Sequence, residues 1–334
     1  MNIYDVSKKA GVSIATVSRV LNGNANVSDK TRNKVLLAME ELDYKPNIFA
    51  RGLGLNTMKT IGIMCSDSSD TYLANAVYYL EQELRRHNYD SILCCTGQDF
   101  ETKKKYLDLL ISKRVDGIIL AGSQFVLNKP GSDNSYILDA AQELPIILVN
   151  GFLSGDNIYS VMCNDTAAVY EATTQLIKSG RHNIIYLYTS TSYSGMNKLK
   201  GYTTALSDAG MPLRDEYMHL CTKNIQRAKA YLNKLHKQNI PFDAVVTSDD
   251  SLAVGAVKYA YEHNICIPDD LEIIGYNNSV LANCTEPELT SIDSKVEQLS
   301  VTAVNILMQV LSGNDVPGET IIAADIIKRK TTNF

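Results

Sequence analysis

Hydrophobic positions over the first 46 residues recur at helical spacing. Ile3, Val6 and Ala10 mark a helix over Ile3–Ala10. Gly11-Val12-Ser13 breaks it, and Ser13 is placed to cap a second helix that runs to about Leu21 and ends at Asn22-Gly23-Asn24. Ser28 caps a third helix with the stripe Val35, Leu36, Met39 and Leu42, and Pro46 closes the segment. From Lys59 the pattern changes. Short apolar runs suited to strands recur at 61–65, 91–95, 117–121, 145–149, 184–188, 244–247 and 272–276. Between them lie helical stretches at 73–87, 100–112, 166–179, 199–209, 226–237 and 251–263. Alternating β and α units with apolar strands predict an α/β body of parallel sheets covered by helices on both faces. About 275 residues of such units exceed one comfortable core, so two lobes are expected.

Composition adds exclusions. Of 334 residues, 45% are hydrophobic and 21% charged, ordinary globular usage that argues against a disordered or fibrous chain. No apolar run reaches the roughly 18 residues needed to cross a bilayer, and Met1-Asn2-Ile3-Tyr4-Asp5 lacks the pattern of a secretory signal. Seven cysteines form no metal-ligand spacing, and an odd count argues against a disulfide framework. The expectation is a soluble, cytoplasmic protein with no membrane association.

Net charge is −5, which by itself does not suggest a nucleic-acid binder. Residues 1–59, however, hold nine Lys or Arg against five acids, or +4, leaving −9 on the rest. A basic head on an acidic body suits a protein whose head alone meets phosphates. The head also reads as a helix-turn-helix. Val6, Ala10, Val12, Val17 and Val20 can pack one helix across the other, while Gly11 permits the turn. Ser13, Ile14, Ala15, Thr16, Ser18 and Arg19 then lie outward on the second helix. Hydroxyls there can meet base edges or phosphates, Ala15 or Ile14 a thymine methyl, and Arg19 a guanine or phosphate.

Ile3-Tyr4-Asp5-Val6, Ala10-Gly11-Val12-Ser13, Thr16-Val17-Ser18-Arg19-Val20-Leu21-Asn22 and Leu42-Asp43-Tyr44-Lys45-Pro46-Asn47 resemble the amino-terminal signature of the lactose-repressor (LacI/GalR) family. The resemblance extends over essentially the whole chain, including Arg114-Val115-Asp116-Gly117-Ile118-Ile119 and Leu271-Glu272-Ile273-Ile274-Gly275-Tyr276, and is nearer the purine-repressor and catabolite-control branches. The expected division is a head at 1–46, a hinge helix and linker at 47–58, one lobe at 59–163 with 292–323, and a second at 164–291 with 324–334. Residues 47–54, with two glycines, are too short for a stable isolated helix and should gain helicity on docking. The resemblance implies a hinge helix in the minor groove with Leu53 as an intercalating wedge. Asn26, Asn47, Ala50, Arg51 and Leu53 complete the expected DNA-contacting set.

The body carries little catalytic chemistry. Metalloprotease, Walker-type, nucleophile-elbow and Gly-x-Gly-x-x-Gly motifs are missing. The five histidines are scattered, Lys103-Lys104-Lys105 reads as a solvated helix face, and Cys94-Cys95 as packing at a strand end. What remains is a set of polar residues at carboxyl ends of strands, where open α/β sheets bind ligands: Asp67 to Tyr72, Ser123, Asn150, Asp165, Lys198, Asp249 and Asn277. These types fit a sugar-like or other small polar ligand. Asp250 reads instead as the cap of the helix from Ser251. The resemblance implies two periplasmic-binding-protein-like lobes closing on an effector at Tyr72, Asn150, Asp165, Lys198, Asp249 and Asn277. Lys198 stands where many sugar-responsive members have Arg, Asn277 where they often have Asp, and no aromatic matches their stacking residue around Thr222-Lys223-Asn224.

The expectation is therefore a homodimeric, non-enzymatic transcription regulator, a repressor of near-palindromic double-stranded operator DNA, with no cofactor or metal. By resemblance the dimer contact lies near Tyr72–His87, and no leucine-heptad repeat follows the strand-like Thr320–Ile327. A phosphoprotein corepressor remains open as a partner. The rival reading is a transporter's solute-binding protein; a hydrolase or kinase on similar lobes comes third.

Overall fold

A computed structural model describes residues 1–21, 26–44, 57–127 and 132–334. In the head, α1 (Ile3–Ala10) begins at a capping box that sequence reading passed over: Asn2 accepts from the Tyr4 and Asp5 amides while the Asp5 carboxylate accepts from the Asn2 amide. Gly11 ends it in the left-handed region at φ 64°, which only glycine adopts freely. α2 (Ile14–Leu21) starts where Ser13 Oγ accepts from the Thr16 amide, and α3 (Asp29–Glu41) where Ser28 Oγ accepts from the Thr31 amide. Val6, Ala10, Val17, Val20, Val35 and Ala38 form the core of the head. Leu36 was expected there but is 49% exposed. With Val35 inward, the core-facing positions are the buried Ala38 and the half-buried Met39 and Leu42, three, four and seven residues on, and Leu36 lies a full 100° round the helix.

The body has two six-stranded sheets. The first comprises β1 (Thr60–Cys65), β2 (Asp90–Cys95), β3 (Gly117–Ala121), β4 (Ile146–Val149), β5 (Ile158–Cys163) and β11 (Glu319–Ile322), all parallel, in the order β11-β5-β4-β3-β1-β2. α4 (Thr71–Arg86) and α12 (Val296–Leu311) cover one face; α5 (Phe100–Ser112) and α6 (Ser135–Ala141) cover the other. The second sheet comprises β6 (Ile184–Tyr188), β7 (Met218–Leu220), β8 (Ala244–Thr247), β9 (Glu272–Tyr276), β10 (Thr290–Asp293) and β12 (Asp325–Ile327), in the order β12-β10-β9-β8-β6-β7. Only β12 runs antiparallel, against β10. Its helices are α7 (Asp165–Lys178) and α8 (Tyr193–Asp208) on one face, α9 (Ile225–Lys237) and α10 (Asp250–Glu262) on the other, with the short α11 (Val280–Asn283) beside them.

Several expectations change. Residues 292 and 293 lie in β10 and pair with the second sheet, so the chain passes to the first lobe after Asp293. Thr320–Ile327 is two strands in different sheets rather than one. β5, β7 and β10 were not anticipated: Ile158–Cys163 carries a serine mid-run, Met218–Leu220 is a three-residue edge, and Thr290–Asp293 has a single apolar residue. Lys103 is buried at 5% exposure, its ammonium donating to the Gln124 carbonyl at 2.8 Å rather than facing water.

The body motifs of the sequence are structural joints. Asp116, ahead of β3, accepts from Thr57 Oγ1 and from the amides of Met58 and Thr60, fixing the chain where it enters the first sheet. Glu272, fully buried, accepts from Arg181 Nε at 3.2 Å and Ser179 Oγ at 2.6 Å.

Candidate functional site

Parallel strands send their carboxyl ends to one edge of each sheet, and these two edges face each other across a cleft of about 730 Å³, within the usual range for small-molecule sites. Of the eight anticipated effector residues, seven line it: Asp67, Tyr72, Ser123, Asn150, Lys198, Asp249 and Asn277. The eighth, Asp165, does not. It is the first residue of α7, 3% exposed, and its carboxylate accepts from the Tyr276 hydroxyl behind the wall.

On the first-lobe wall, Asn150 follows β4 in the left-handed region at φ 58°. Its amide nitrogen donates to Tyr72 Oη at 2.5 Å, and its carbonyl oxygen accepts from the Cys163 amide at 2.9 Å. That fixes the Tyr72 hydroxyl; burial, with Asp165 nearby, holds its pKa well above the ordinary tyrosine value. Asp70 Oδ1 caps α4, accepting from the Tyr72 and Leu73 amides. Asp67 is exposed and accepts from the hydroxyl and amide of Ser69, which lower its pKa.

On the second-lobe wall, Lys198 is 9% exposed. Its ammonium lies 3.6 Å from the centroid of the Tyr276 ring and 3.4 Å from the Ser248 carbonyl. Asp165 thus acts through the ring on which Lys198 rests. Asp249, and not Asp250 as expected, caps α10: its Oδ1 accepts from the Ser251 amide and hydroxyl. Asp250 turns inward, its carboxylate accepting from Ser279 and Ser291, and burial pushes its pKa up to about 6. Asn277 Nδ2 donates to Asp249 Oδ2 at 3.1 Å.

Side chains of the two lobes also meet directly, the Phe152 and Tyr193 rings among them with centroids 6.0 Å apart. Ser123 Oγ donates to Ser192 Oγ at 2.8 Å. Lys223 Nζ lies 2.8 Å from Asp70 of the first lobe and 2.7 Å from Asp249 of the second. Burial alone would lower the Lys223 pKa, but Asp249 and then Asp70 outweigh it and the net shift is upward. Lys223 and Ser192 were missed. Lys223 follows β7, a strand too short to announce itself, and its carboxylates lie 26 and 153 residues away, so only the carboxyl-end rule could have marked it.

The cleft holds hydroxyls, amides, carboxylates and ammoniums, and none of the five histidines lines it. Among the described residues no cluster of three or more His, Cys, Asp or Glu is placed to hold a metal. The arrangement binds polar groups and offers no paired base and nucleophile.

In the head, Ser13, which precedes α2, and Ile14 (38% exposed), Ala15 and Arg19 on it are exposed, Thr16 and Ser18 are half-buried, and Val17 and Val20 point to the core. Asn26 is exposed. Asn47, Ala50, Arg51 and Leu53 lie outside the described residues.

Residues 58–330 match the model for periplasmic binding proteins and the sugar-binding domain of the LacI family. Residues 2–47 match that for bacterial regulatory proteins of the lacI family. The chain belongs to the LacI family. It is 59% identical over 334 residues, the whole of both chains, to an HTH-type transcriptional regulator of Lachnoclostridium phytofermentans. It is 31% identical to catabolite control protein A of Priestia megaterium over 96% of each chain. Its fold is also that of a crystal structure of the lac repressor dimer bound to operator and the anti-inducer ONPF, with a TM-score of 0.87, 23% identity and 99% of each chain covered. This LacI-family member is therefore a DNA-binding transcriptional regulator whose relatives are regulators rather than enzymes. Among its described residues no helix is long and apolar enough to cross a membrane.

Proposed function

We propose that this regulator is a homodimeric repressor whose affinity for a near-palindromic operator is set by a small polar effector, a sugar or related metabolite, held between the lobes. The observation that carries the reading is the joint lining of one cleft by Tyr72, Ser123 and Asn150 from one lobe and Lys198, Asp249 and Asn277 from the other. A ligand touching both walls binds the closed arrangement better than an open one, and that difference in affinity is what shifts a two-state equilibrium. Lys198 donates, Asp249 accepts, Asn277 does both, and the Tyr72 ring offers a flat partner for the apolar side of a polyol. A shift of the lobes reaches the head through residues 57–60, which Asp116 holds to the first sheet.

The exposed end of α2 is the reading surface. Ser13, Ile14, Ala15, Thr16, Ser18 and Arg19 meet base edges and phosphates in the major groove, with Asn26 alongside. Asn47, Ala50, Arg51 and Leu53 extend the contact into the minor groove, Leu53 as a wedge between base steps.

The test has two arms. Fluorescence anisotropy with operator candidates selected from random duplexes should give sequence-selective binding that weakens steeply with salt, and Leu53→Ser should weaken it. A thermal-shift screen of sugars, sugar phosphates and purines should yield a compound that raises the melting temperature and changes operator affinity. Duplex binding without sequence preference would sink the first claim. A ligand that leaves operator affinity unchanged would sink the second and favour a solute carrier.

A further inference from the structure

We propose that Cys65 and Cys95 are a modification site: two thiols at the floor of the first-lobe wall that close to a disulfide when the protein meets a small-molecule disulfide. β1 and β2 are neighbouring parallel strands, and their register sets Cys65 opposite Cys95. The two sulfurs are 3.7 Å apart. Adjacent strands lie about 4.8 Å apart, within the roughly 4.4–6.8 Å between Cα atoms that a disulfide spans. The remaining gap is closed by side-chain rotation and a small shift of the edge strand.

The two thiols are unequal. Cys95 is exposed at the end of β2, the edge of the sheet. Cys65 is fully buried against α4 and α12, and burial, reinforced by the Cys95 contact, pushes its pKa up to about 12. Cys95 is therefore the attacking group and Cys65 the resolving one. The Cys95 thiolate attacks one sulfur of the small disulfide and expels a thiolate. Cys65 then gives up its proton to that thiolate, attacks the Cys95 sulfur of the mixed disulfide and expels the second thiolate. Two protein thiols are oxidised, the reagent takes two electrons, and two small thiols leave. Cys94 cannot substitute, because it packs on the opposite face of the sheet. Cys163 turns its sulfur to the Tyr276 hydroxyl at 3.6 Å.

The position gives the bond a consequence. Past the pair, the ladder continues from the Thr96 amide to the Cys65 carbonyl and from the Gly97 amide to the Ser66 carbonyl, both at 2.9 Å. Ser66, Asp67 and Gln98, the next residues on the two strands, line the cleft. A covalent link there pins the base of both loops. Formation of the bond is independent of the effector reading above; its relevance to regulation rests on that reading.

The experiment uses the full chain with oxidised glutathione, followed by alkylation of free thiols and tryptic mapping. Peptide 60–85 should be found linked to peptide 87–103. The link should be lost in Cys95→Ser, an exposed position that leaves the core untouched, and kept in Cys94→Ser. Glutathione held on Cys95 with Cys65 still free, or a link that survives Cys95→Ser, overturns the proposal. As a second readout, oxidation should slow amide hydrogen exchange several-fold across 66–70 and 96–99 in the native chain but not in Cys95→Ser. Unchanged exchange in a linked sample overturns the claim that the bond reaches the cleft. DNA binding enters neither measurement.

Discussion

Lys223→Met removes an ammonium that both lobes share. Lys223, Asp70 and Asp249 have side-chain exposures of 32%, 22% and 9%, so the group is partly but not fully screened. Exposed ion pairs contribute about 0.2–1 kcal/mol each. With two of them at 2.8 and 2.7 Å, the loss is about 0.4–2 kcal/mol. The net upward shift of the Lys223 pKa says that the carboxylates more than offset its desolvation, so the sign is stabilising. Removal also leaves two carboxylates facing each other, which adds to the cost. Because the pKa is raised, the contribution is complete below the ordinary lysine range and is lost only as pH climbs through the raised value, so pH 7 captures all of it.

The assay is a double-mutant cycle with Asp70→Asn, followed by chemical denaturation. Asn at position 70 retains the oxygen that caps α4 while losing the charge. A coupling of about 0.5–1 kcal/mol is expected, shrinking between about 0.05 and 0.5 M salt as the screening length contracts. In a chain of this size the Lys223→Met melting point should fall by roughly 1–3 °C. A coupling below about 0.3 kcal/mol, the scatter of independent sites, or one indifferent to salt, would refute the argument.

Three further outcomes follow from separate parts of the molecule. The folded state raises the Asp250 pKa to about 6 and so holds its proton more tightly than the unfolded chain; this group's share of stability must fall as pH rises from about 4 to 6, by up to roughly 3 kcal/mol. Denaturation curves for Asp250→Asn against the native chain should diverge in favour of the variant across that window, and a flat difference would count against the burial. A Cβ on Gly201 would stand 2.4 Å from the Thr166 carbonyl oxygen of α7, so Gly201→Ala should cost at least about 1–3 kcal/mol through the forced separation of α7 and α8, measured as a lowered denaturation midpoint. Arg19→Ala should weaken operator binding about tenfold or more by anisotropy while leaving the melting temperature within a degree or so, because Arg19 is exposed on α2 and contributes nothing to the head core.

Local signals were readable where an element is amphipathic and capped by its own neighbours. Ser13 and Ser28 act three residues along the chain, and the helical period of Val6, Ala10, Val17 and Val20 survives into the head core. β5, β7 and β10 escaped because their pairing is decided by the sheet around them. Thr290–Asp293 has no apolar run, and is a strand because β9 lies on one side and β12 on the other. The Asp249–Asp250 pair shows the same limit at one-residue resolution. Both are helix-start residue types, and only the turn leading from β8 decides which side chain meets the Ser251 amide and which is buried against Ser279 and Ser291. Asp165 was sorted with ligand-facing residues because it follows the carboxyl end of a strand, as well as by resemblance, whereas its role through Tyr276 depends on a partner 111 residues away. The carboxyl-end rule gathered most of the cleft because it is topological, and Lys223 fell outside the set because its strand has three residues.

The cross-cleft contacts also bound what an effector can accomplish. Three backbone connections join the lobes, between Cys163 and Asp165, between Asp293 and Val296, and between Ile322 and Asp325. They allow rotation, and the side chains across the cleft set its preferred angle. Lys223 with its two carboxylates, and Ser123 with Ser192, already favour the present arrangement of the lobes by an amount on the order of 1–2 kcal/mol. Typical coupling between effector and operator sites is about 1–3 kcal/mol, the same size. On the reading that the cleft holds the effector, a ligand that merely replaces the Lys223 bridge with equivalent bonds therefore changes operator affinity little, however tightly it binds. A ligand that keeps Lys223 in place and adds bonds to Lys198 and Tyr72 drives further closure. One that draws Asp249 away from Lys223 drives opening. On that same reading the direction of regulation is decided at Asp249, whose Oδ2 already serves both Asn277 and Lys223. Asn277→Ala, which frees one side of that oxygen without touching the cation, should change the ratio of operator affinities measured with and without ligand more than it changes ligand affinity itself. Equal changes in the two quantities would mean that Asn277 only binds.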